Sequence, residues 1–356
     1  MQTRVARLHA ERDLRVEHLD YPTCRAGEVR LAMAAGGICG SDLHYYQDGG
    51  FGPVRVREPI IAGHEASGFV EEIGEGVKGL ELGQLVAVNP SRPCGQCQYC
   101  RIGHPIHCLD MRFMGSAMRL PHEDGMFREQ LVVPAIQCHP VGGGVTPGEA
   151  ACAEPLAVCL HAAAQAGDLK DKAVLVTGAG PIGLLTVAAA RHAGAGQIVV
   201  TDLADSALSR ALSMGATQAI NVKSEPDGLL PFTEHKGYFD MVFDCSAAGP
   251  ALRSAFATIK PRGVLVQVGV TGDVTIPLNA LVGKEIVWRG SQRFHEEFSD
   301  AVALISTRQI DVRPIISHSF PLDAVVEAFE QAGDRSVACK VQITFKQTDE
   351  SPKDER

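Results

Sequence analysis

The feature that most constrains the fold is a Gly-rich turn enclosed by an apolar strand and an apolar helix. Residues 173–177 read Ala-Val-Leu-Val-Thr, residues 178–183 follow the pattern Gly-x-Gly-x-x-Gly, and residues 184–193 are mostly apolar. A further apolar run over 197–201 ends at Asp202, about 20 residues beyond the turn. Strand, turn and helix in this order predict a doubly wound parallel sheet that binds a dinucleotide.

Each part of this motif has a physical role in holding a dinucleotide. Glycines let the backbone approach the pyrophosphate, and the helix N-terminus favours its negative charge. A carboxylate after the next strand accepts from both ribose hydroxyls, although a carboxylate there can instead cap the following helix. The predicted cofactor-binding residues of the motif are Gly178, Gly180, Pro181, Ile182, Gly183 and Asp202.

Later apolar segments extend the predicted parallel sheet. We expect strands over residues 211–216, 241–246 and 264–269, separated by helical stretches. Asp202 is followed by Leu203-Ala204 and not by an arginine, so a 2′-phosphate would meet an unpaired carboxylate. The sequence therefore predicts NAD as the cofactor rather than NADP.

Four cysteines with close spacing predict a structural metal site. Cys94, Cys97, Cys100 and Cys108 follow the pattern C-x2-C-x2-C-x7-C, and four thiolates close a tetrahedral zinc site without an open position. An iron–sulfur cluster is the rival. The common bacterial run places its fourth cysteine closer and follows it with proline, whereas Leu109 follows here.

A second set of metal-ligand side chains lies in residues 36–65, which are rich in turn-forming residues. Cys39, His64 and Glu65 offer a thiolate, an imidazole and a carboxylate from two predicted loops. A catalytic zinc site uses three protein ligands of these types and keeps one position open. Taken singly, a cysteine or histidine is more often a core residue, so the prediction depends on the set.

Composition narrows the class of protein. At 356 residues and 45% hydrophobic content, the chain is long enough for two domains. A net charge of −9 without a long Lys/Arg run argues against nucleic-acid or acidic-lipid partners, including a zinc-stapled nucleic-acid module. Eleven cysteines with no export-like leader, and no run of about 18 apolar residues, favour a cytoplasmic protein without disulfides or a membrane span.

Short β-rich segments separated by Gly and Pro dominate the N-terminal part of the chain. They cover residues 5–8, 28–33, 66–73 and 84–88, and another covers 129–133 after the cysteines. This series is typical of a compact antiparallel barrel. Within it, a specific spacing, G-H-E-x2-G-x5-G-x2-V, is formed by Gly63, His64, Glu65, Gly68, Gly74 and Val77.

On this run, and on the sequence Cys39-Gly40-Ser41-Asp42-Leu43-His44, the chain resembles the zinc-dependent medium-chain alcohol and polyol dehydrogenases. The resemblance covers nearly the whole chain. It implies an α/β protein with a GroES-like antiparallel β-barrel catalytic domain and a doubly wound parallel-sheet (Rossmann) cofactor domain. It also implies two zinc ions per chain, one catalytic and one structural, with NAD as the cofactor.

The resemblance assigns roles around the catalytic zinc. Cys39 matches the metal thiolate, Ser41 the relay hydroxyl and His44 the relay imidazole, which passes the substrate proton outward through the cofactor ribose. Glu154 matches a glutamate that polyol members place at the zinc, where alcohol dehydrogenases have a cysteine. A carboxylate near a helix N-terminus is its ordinary alternative. Whether Glu65 or Glu154 is the direct ligand stays open.

The resemblance also suggests a substrate class. Residues 111–127 are closest to L-idonate 5-dehydrogenases, and Arg293-Phe294 matches an Arg-aromatic pair in the substrate pocket of polyol dehydrogenases; a solvated surface arginine is the alternative. Tyr45, Tyr46 and His122 are further candidates for binding substrate hydroxyls. The predicted neighbours of the nicotinamide lie at Cys245 to Ala247 and at Val268 to Val270.

The expected domain limits follow the resemblance. They are 1–155 for the catalytic domain, with a zinc lobe at 90–110, 156–292 for the NAD domain, 293–345 for a return to the catalytic domain, and 346–356 for a disordered tail. We also expect a homo-oligomer, either a dimer or a tetramer.

The expected reaction is hydride transfer from a secondary alcohol of a polyol or sugar acid to NAD, with L-idonate to 5-keto-gluconate as the single best candidate. A sorbitol or xylitol dehydrogenase is the first alternative. A zinc-free quinone reductase of the same fold would lack the Cys39 and His64 set. A non-catalytic NAD-binding protein would not need a metal site with an open position.

Overall fold

The computed structural model describes residues 2–270 and 272–345, so the expectation for the tail 346–356 lies outside the described residues. The strands within the described ranges are β1 Gln2–Ala10, β2 Asp13–Asp20, β3 Glu28–Gly37, β4 Gly50–Phe51, β5 Val54–Arg55, β6 Ile60–Ile61, β7 Glu65–Ile73, β8 Leu85–Val88, β9 Ser91–Arg92, β10 Arg112–Phe113, β11 Gln130–Pro134, β12 Cys138–Pro140, β13 Ala173–Thr177, β14 Gln197–Asp202, β15 Gln218–Asn221, β16 Phe239–Asp244, β17 Ile259–Gln267, β18 Val287–Gly290, β19 Ile316–Pro321 and β20 Lys340–Thr344.

The helices within residues 2–270 and 272–345 are α1 Gly40–Asp48, α2 Gln98–Arg101, α3 Pro147–Ala151, α4 Ala153–Ala166, α5 Pro181–His192, α6 Asp205–Ser213, α7 Gly249–Thr258, α8 Leu278–Gly283, α9 Glu297–Ser306 and α10 Val325–Gly333. Several of them, among them α4, α5, α6 and α7, pack against the parallel sheet, whereas α2 lies in the cysteine-rich lobe. None of the helices in the described ranges is long and apolar enough to cross a membrane.

A six-stranded parallel sheet forms the half of the molecule that contains the Gly-rich turn. Its strand order is β15-β14-β13-β16-β17-β18, and every pair in it is parallel. The order reverses between β13 and β16, and in such sheets ligands bind at the carboxyl ends of the strands beside this reversal. The predicted doubly wound sheet is confirmed, with the Gly-rich turn at that point.

One predicted strand of this sheet is wrong. Residues 211–216 do not form a strand, because α6 extends to Ser213 and Gly215 follows with a φ of 108°. Leu208 and Ala211 are buried on one face of α6, so the apolar residues belong to a helical repeat. The strand instead begins at Gln218, and a short apolar run alone could not distinguish the two structures.

A seven-stranded sheet forms the main part of the predicted barrel. Its order is β12-β8-β7-β3-β20-β19, with β11 also paired to β3. A bridge between Val5 and Arg128 connects β1 to the segment before β11. The pairs are antiparallel except β19 with β20, which run parallel. The chain after residue 293 therefore returns to this sheet through β20.

The predicted loop around residue 40 is wrong in one respect, because α1 occupies Gly40–Asp48. Cys39 is its N-cap, and Gly49 ends it with a φ of 63°. The helix mixes polar and apolar residues around its axis, so it carries no clear helical repeat in the sequence. Its first turn presents Ser41 and Asp42 at the end of β3.

Candidate active site

Three of the predicted metal ligands meet where β3, α1 and β7 join. One ligand atom each from Cys39, His64 and Glu65 lies within 4.8 Å of the other two. His64 and Glu65 are buried, with 6% and 1% of their surface exposed. A thiolate, an imidazole and a carboxylate at this separation are suited to a zinc ion.

Asp42 holds the two ligand segments together. Its Oδ2 accepts from the Cys39 N–H at 2.9 Å, and its Oδ1 accepts from the Gly63 N–H at 3.1 Å. The carboxylate is buried, and this burial raises its pKa although His64 acts in the opposite direction. The sequence interpretation gave Asp42 no role. Its position three residues after the helix N-cap was the available signal, since such a residue reaches back to the cap N–H.

The imidazole of His64 indicates that the cluster attracts a cation. Burial lowers the pKa of His64, but the nearby Asp42 and Cys39 more than offset this and raise it to about 10. His64 Nδ1 is 3.8 Å from Asp42 Oδ1 and has no hydrogen-bond partner in the described part of the chain. Negative charge concentrated on buried ligands fits a divalent metal ion.

Lys340 is a buried partner of the cluster that sequence reasoning missed. Its Nζ donates to Glu65 Oε1 at 2.7 Å and to the Ile38 carbonyl at 3.1 Å. Burial lowers the pKa of Lys340, but the charges of Glu65 and Cys39 raise it more. Lys340 follows Glu65 by 275 residues, so no local pattern could have revealed the contact.

Glu154 lies beside this cluster and outside the set of three. It occupies the first turn of α4 and is 5% exposed. Burial raises its pKa to about 7; His64 lowers the pKa and Glu65 raises it, which places both side chains close by. The predicted role of Glu154 as a direct ligand remains a prediction.

Ser41 and His44 lie one turn apart on α1. The side chain of His44 is 47% exposed, and its Nδ1 lies 3.1 Å from Asp48 Oδ2 one turn further on. A hydroxyl near the metal ligands and an imidazole at the surface are suited to carrying a proton out of the site. Asp48 is an orienting partner for His44 that the sequence interpretation did not include.

Arg293 extends toward the metal ligands across an aromatic ring. Its guanidinium carbon lies 3.9 Å from the centroid of the Phe113 ring, and that ring is 5.6 Å from the ring of His64. Arg293 Nη2 lies 3.0 Å from Met118 Sδ. Over residues 2–270 and 272–345, Arg293 has no carboxylate within salt-bridge distance. The predicted site arginine is therefore a partly buried cation without a direct ion-pair contact among these residues, although the charge of the nearby Glu154 acts on it.

Two further predicted substrate residues fall on either side of this arginine. Tyr45 is 4% exposed, and its hydroxyl accepts from the Ala117 N–H at 3.2 Å. Burial raises the pKa of Tyr45, and Arg293 is close enough to lower it. Phe294 is instead a core residue, because its ring is 2% exposed and lies 5.5 Å from that of Phe298.

The proposals for Tyr46 and His122 as hydroxyl-binding groups do not fit the structure. The Tyr46 hydroxyl donates to Glu330 Oε1 at 2.8 Å, and the side chain is 2% exposed. His122 Nε2 accepts from the Arg57 N–H at 2.9 Å, and its Nδ1 lies 2.7 Å from the Arg119 carbonyl. Tyr46 thus joins α1 to α10, and His122 holds the loops around Arg57 and Arg119.

The four cysteines converge as predicted. Cys94, Cys97, Cys100 and Cys108 have sulfur atoms within 4.8 Å of one another, and all eleven cysteines are free thiols. Backbone N–H groups of Cys100 and Leu109 lower the pKa of Cys97 to about 6. Desolvation and the neighbouring thiols raise the pKa of Cys100 to about 12, so a bound metal would have to displace the proton of that thiol.

The Gly-rich turn leaves room for a phosphate at the start of α5. A Cβ on Gly183 would lie 1.9 Å from the Gly178 carbonyl oxygen, so close packing requires glycine there. At Gly180, by contrast, no described protein atom lies within 4 Å of a built Cβ. Gly180 is the N-cap and Pro181 the first residue of α5. This open space at a helix N-terminus fits a pyrophosphate.

Asp202 ends β14 and faces the Gly-rich turn. Its Oδ2 accepts from the Ala179 N–H at 2.6 Å, and its Oδ1 accepts from the N–H groups of Leu203 and Ala204 at 2.7 and 3.0 Å. The N-cap of α6 is Ala204, so Asp202 is not the cap of that helix. Since each carboxylate oxygen accepts two bonds, Oδ2 keeps one acceptor position for a ribose hydroxyl.

A cavity of about 520 Å³ opens at the carboxyl ends of β17 and β18. Its lining includes Val268 and Val270, two predicted neighbours of the nicotinamide. Gln267 Oε1 and Ser291 Oγ also face buried space and have no partner among the described residues. Cys245 is not part of this lining; its thiol packs on α5, and burial raises its pKa to about 12.

Fold and site together define an oxidoreductase that acts on CH–OH groups with a nicotinamide dinucleotide. Residues 25–143 match the alcohol dehydrogenase GroES-like domain, and residues 181–307 match the zinc-binding dehydrogenase family. The chain belongs to the zinc-dependent medium-chain dehydrogenase family, whose cofactor is NAD(P). The predicted family, fold class and enzyme class are therefore confirmed.

Individual relatives agree with this assignment. The chain is 43% identical to L-idonate 5-dehydrogenase (NAD(P)(+)) of Escherichia coli K12, over 88% of this chain and 91% of the relative. It is 33% identical to sorbitol dehydrogenase of Pongo abelii, over 97% and 96% of the two chains. The crystal structure of the Escherichia coli L-idonate 5-dehydrogenase superposes with a TM-score of 0.91 at 38% identity, covering 97% of this chain and 99% of that one.

Proposed function

We propose that this enzyme oxidises a secondary hydroxyl of a sugar acid, with L-idonate oxidised at carbon 5 as the best single candidate and NAD⁺ as the acceptor. The observation that carries the proposal is Arg293, a partly buried cation on the Phe113 ring beside His64. A guanidinium without a direct ion-pair contact is costly to bury, and a carboxylate on the substrate would supply that contact. The name of the Escherichia coli relative supports the same substrate class.

The length of a sugar acid suits this arrangement. With carbon 5 at the metal ligands, the carboxylate on carbon 1 lies four bonds further along the chain and must find water or a cation. The planar fork of Arg293 can hold a carboxylate at two points. Tyr45 and Glu154, both close to that guanidinium, offer groups for the intervening hydroxyls.

The residues of the chain account for binding and proton transfer. Cys39 and His64, with Glu65 or Glu154, would hold a catalytic zinc ion, which when bound polarises the substrate oxygen and lowers its pKa. The Ser41 hydroxyl, too weak a base to hold the substrate proton, would accept it only while passing its own proton outward toward His44. His44, oriented by Asp48, holds it at the surface before release to solvent. The four-cysteine lobe would hold a second zinc ion that serves folding alone.

The preference for NAD over NADP rests on Asp202. Three backbone N–H groups fix its carboxylate where the ribose would lie, so it cannot turn away from a 2′-phosphate. Arg210, the nearest arginine along the chain, donates to the Val337 carbonyl at 3.1 Å and is engaged elsewhere. Like charges in contact cost several kcal/mol.

A plain polyol dehydrogenase is the second candidate, favoured by the sorbitol dehydrogenase relative. Steady-state NAD⁺ reduction with L-idonate, sorbitol, xylitol and a simple secondary alcohol separates the two. A higher kcat/KM for L-idonate than for the uncharged polyols supports the sugar-acid proposal. A higher kcat/KM for sorbitol than for L-idonate would instead indicate a polyol dehydrogenase. Turnover of none of the four would point to a non-catalytic NAD-binding role.

We also keep a cytoplasmic location and a homo-oligomer, dimer or tetramer, as proposals. The cytoplasmic location is supported only by the composition of the chain. Size-exclusion chromatography with light scattering tests the oligomeric state.

A further inference from the structure

His161 and Glu297 join α4 to the segment that carries Arg293. His161 lies two turns beyond Glu154 on α4, or about 10 Å along the helix. Its Nδ1–H donates to Glu297 Oε1 at 2.7 Å. The second carboxylate oxygen of Glu297 accepts from the His295 backbone N–H at 2.8 Å. One carboxylate therefore ties a helix beside the metal ligands to a residue two positions after Arg293.

The backbone of Arg293 requires such an attachment. Its φ is 51°, in the left-handed region that residues with long side chains seldom adopt. Conformations of this kind persist only where the surrounding structure fixes them. Here the two following residues provide the constraint: Phe294 is buried in the core, and the His295 N–H is held by Glu297.

The pair is sheltered enough to act as a rigid attachment. The side chains of His161 and Glu297 are 14% and 20% exposed. Burial raises the pKa of Glu297, but the His161 ring and the His295 N–H lower it further, to about 2. Glu297 also opens α9, where any carboxylate is favoured by the helix dipole. The dipole does not explain why both oxygens bond to groups outside that helix.

We propose that His161 and Glu297 are positioning residues for substrate recognition, which hold residues 293–295 so that the Arg293 guanidinium faces the metal ligands. This inference rests on the proposed function, because it requires Arg293 to bind the substrate carboxylate. Neither side chain contacts the predicted reacting atoms. Glu297 reaches the substrate through residues 293–295, so the effect of its loss depends on whether the substrate carries a carboxylate, whereas His161 also lines the cavity at the ends of β17 and β18.

Glu297→Ala should therefore damage recognition of the acid selectively. Displacing a positioned group by about 1 Å can cost on the order of 100-fold, so we expect kcat/KM for L-idonate to fall about 10- to 100-fold, mainly through KM. The value for sorbitol should fall less than about threefold. Glu297→Gln should restore selectivity, because an amide can accept from the His295 N–H and still bond to a neutral His161. Glu296→Gln, at an exposed neighbouring position, is the matched control.

Comparison with Arg293→Ala separates this inference from the proposed function. If Arg293→Ala lowers kcat/KM for L-idonate and for sorbitol by the same factor, the proposed recognition of the acid fails. If Arg293→Ala lowers kcat/KM mainly for L-idonate and Glu297→Ala lowers it equally for both substrates, only the positioning role is overturned. If both variants act mainly on L-idonate, the double variant should have the same ratio of kcat/KM for L-idonate to that for sorbitol as Arg293→Ala alone. The two changes then act on one contact. Should Glu297→Ala not fold, His161→Asn breaks the same bond from the other side. Because His161 also lines the cavity at β17 and β18, the KM for NAD⁺ is measured alongside, and the ratio of kcat/KM for L-idonate to that for sorbitol decides as above.

Discussion

Lys340 Nζ lies 2.7 Å from Glu65 Oε1, and both side chains are almost fully buried. The pair joins β20 to Glu65, the first residue of β7 and a predicted metal ligand that directly follows His64. The chain after residue 293 therefore contributes to the barrel both a strand, β20, and a buried cation, Lys340, beside the site. This contact makes the geometry of the predicted metal site depend on β20.

Replacing Lys340 by methionine should destabilise the protein strongly. Removing one partner of a buried ion pair leaves the other charge uncompensated, which costs about 3–5 kcal/mol. Denaturant unfolding of the zinc-loaded protein measures this loss. Lys260→Met is the matched control, because its partner Asp240 is only partly buried and exposed pairs contribute about 0–1 kcal/mol. A similar small loss in both variants would show that Lys340 does not stabilise Glu65.

Metal analysis should find about two zinc ions per chain with different roles. Cys97→Ser opens a closed thiolate site and should reduce the folded fraction and the metal content together. His64→Ala should abolish turnover while leaving the circular dichroism spectrum and the four-cysteine metal in place. A single zinc ion per folded wild-type chain would contradict the prediction of two zinc sites.

Specificity constants for the two dinucleotides test the role of Asp202. NAD⁺ should be preferred over NADP⁺ by a factor on the order of hundreds, because the fixed carboxylate opposes a 2′-phosphate. Asp202→Ala should remove most of that preference, chiefly by weakening NAD⁺ binding. Asp205→Ala, on an adjacent turn, serves as the control. Equal constants in the wild type, unchanged in Asp202→Ala, would assign discrimination to another group.

The Glu297 carboxylate predicts a pH dependence of stability. Its folded-state pKa of about 2 lies below the ordinary value of 4.5, so its stabilisation is fully present above pH 4.5 and is lost as the pH falls toward 2. After allowance for solvent screening we expect about 1–2 kcal/mol at pH 7. The free energy of unfolding is measured for the wild type and for Glu297→Gln. The amount by which the wild type is more stable should shrink as the pH falls from 6 to about 3.5. A difference that stays constant or grows on acidification would contradict the pKa assignment; loss of thiolate-bound metal affects both proteins alike.

The parts of the structure that could be predicted from the sequence are those that depend on residues close together along the chain. The glycines at 178, 180 and 183 and the four cysteines each lie within a short stretch, and their chemistry depends on neighbours close along the chain. The Gly-His-Glu pattern likewise located His64 and Glu65. For such features the geometry follows from local backbone requirements and ligand preferences.

The remaining parts of the site depend on contacts between distant segments. Lys340 reaches Glu65, Phe113 lies between His64 and Arg293, and Glu297 reaches His161. No repeat or spacing connects these residues, so only the folded chain reveals them. The same limit explains Tyr46 and His122, which were suitable by residue type but are occupied by structural hydrogen bonds.

Arg293→Ala tests the central claim most directly, through the ratio of kcat/KM for L-idonate to kcat/KM for sorbitol. Losing a charged contact to the substrate typically costs about 2–5 kcal/mol, or roughly 30-fold to several thousandfold. We predict a loss of this size with L-idonate and a much smaller one with sorbitol, so that the ratio collapses. An equal loss with both substrates would show that Arg293 binds hydroxyls and would contradict the assignment of a sugar-acid substrate.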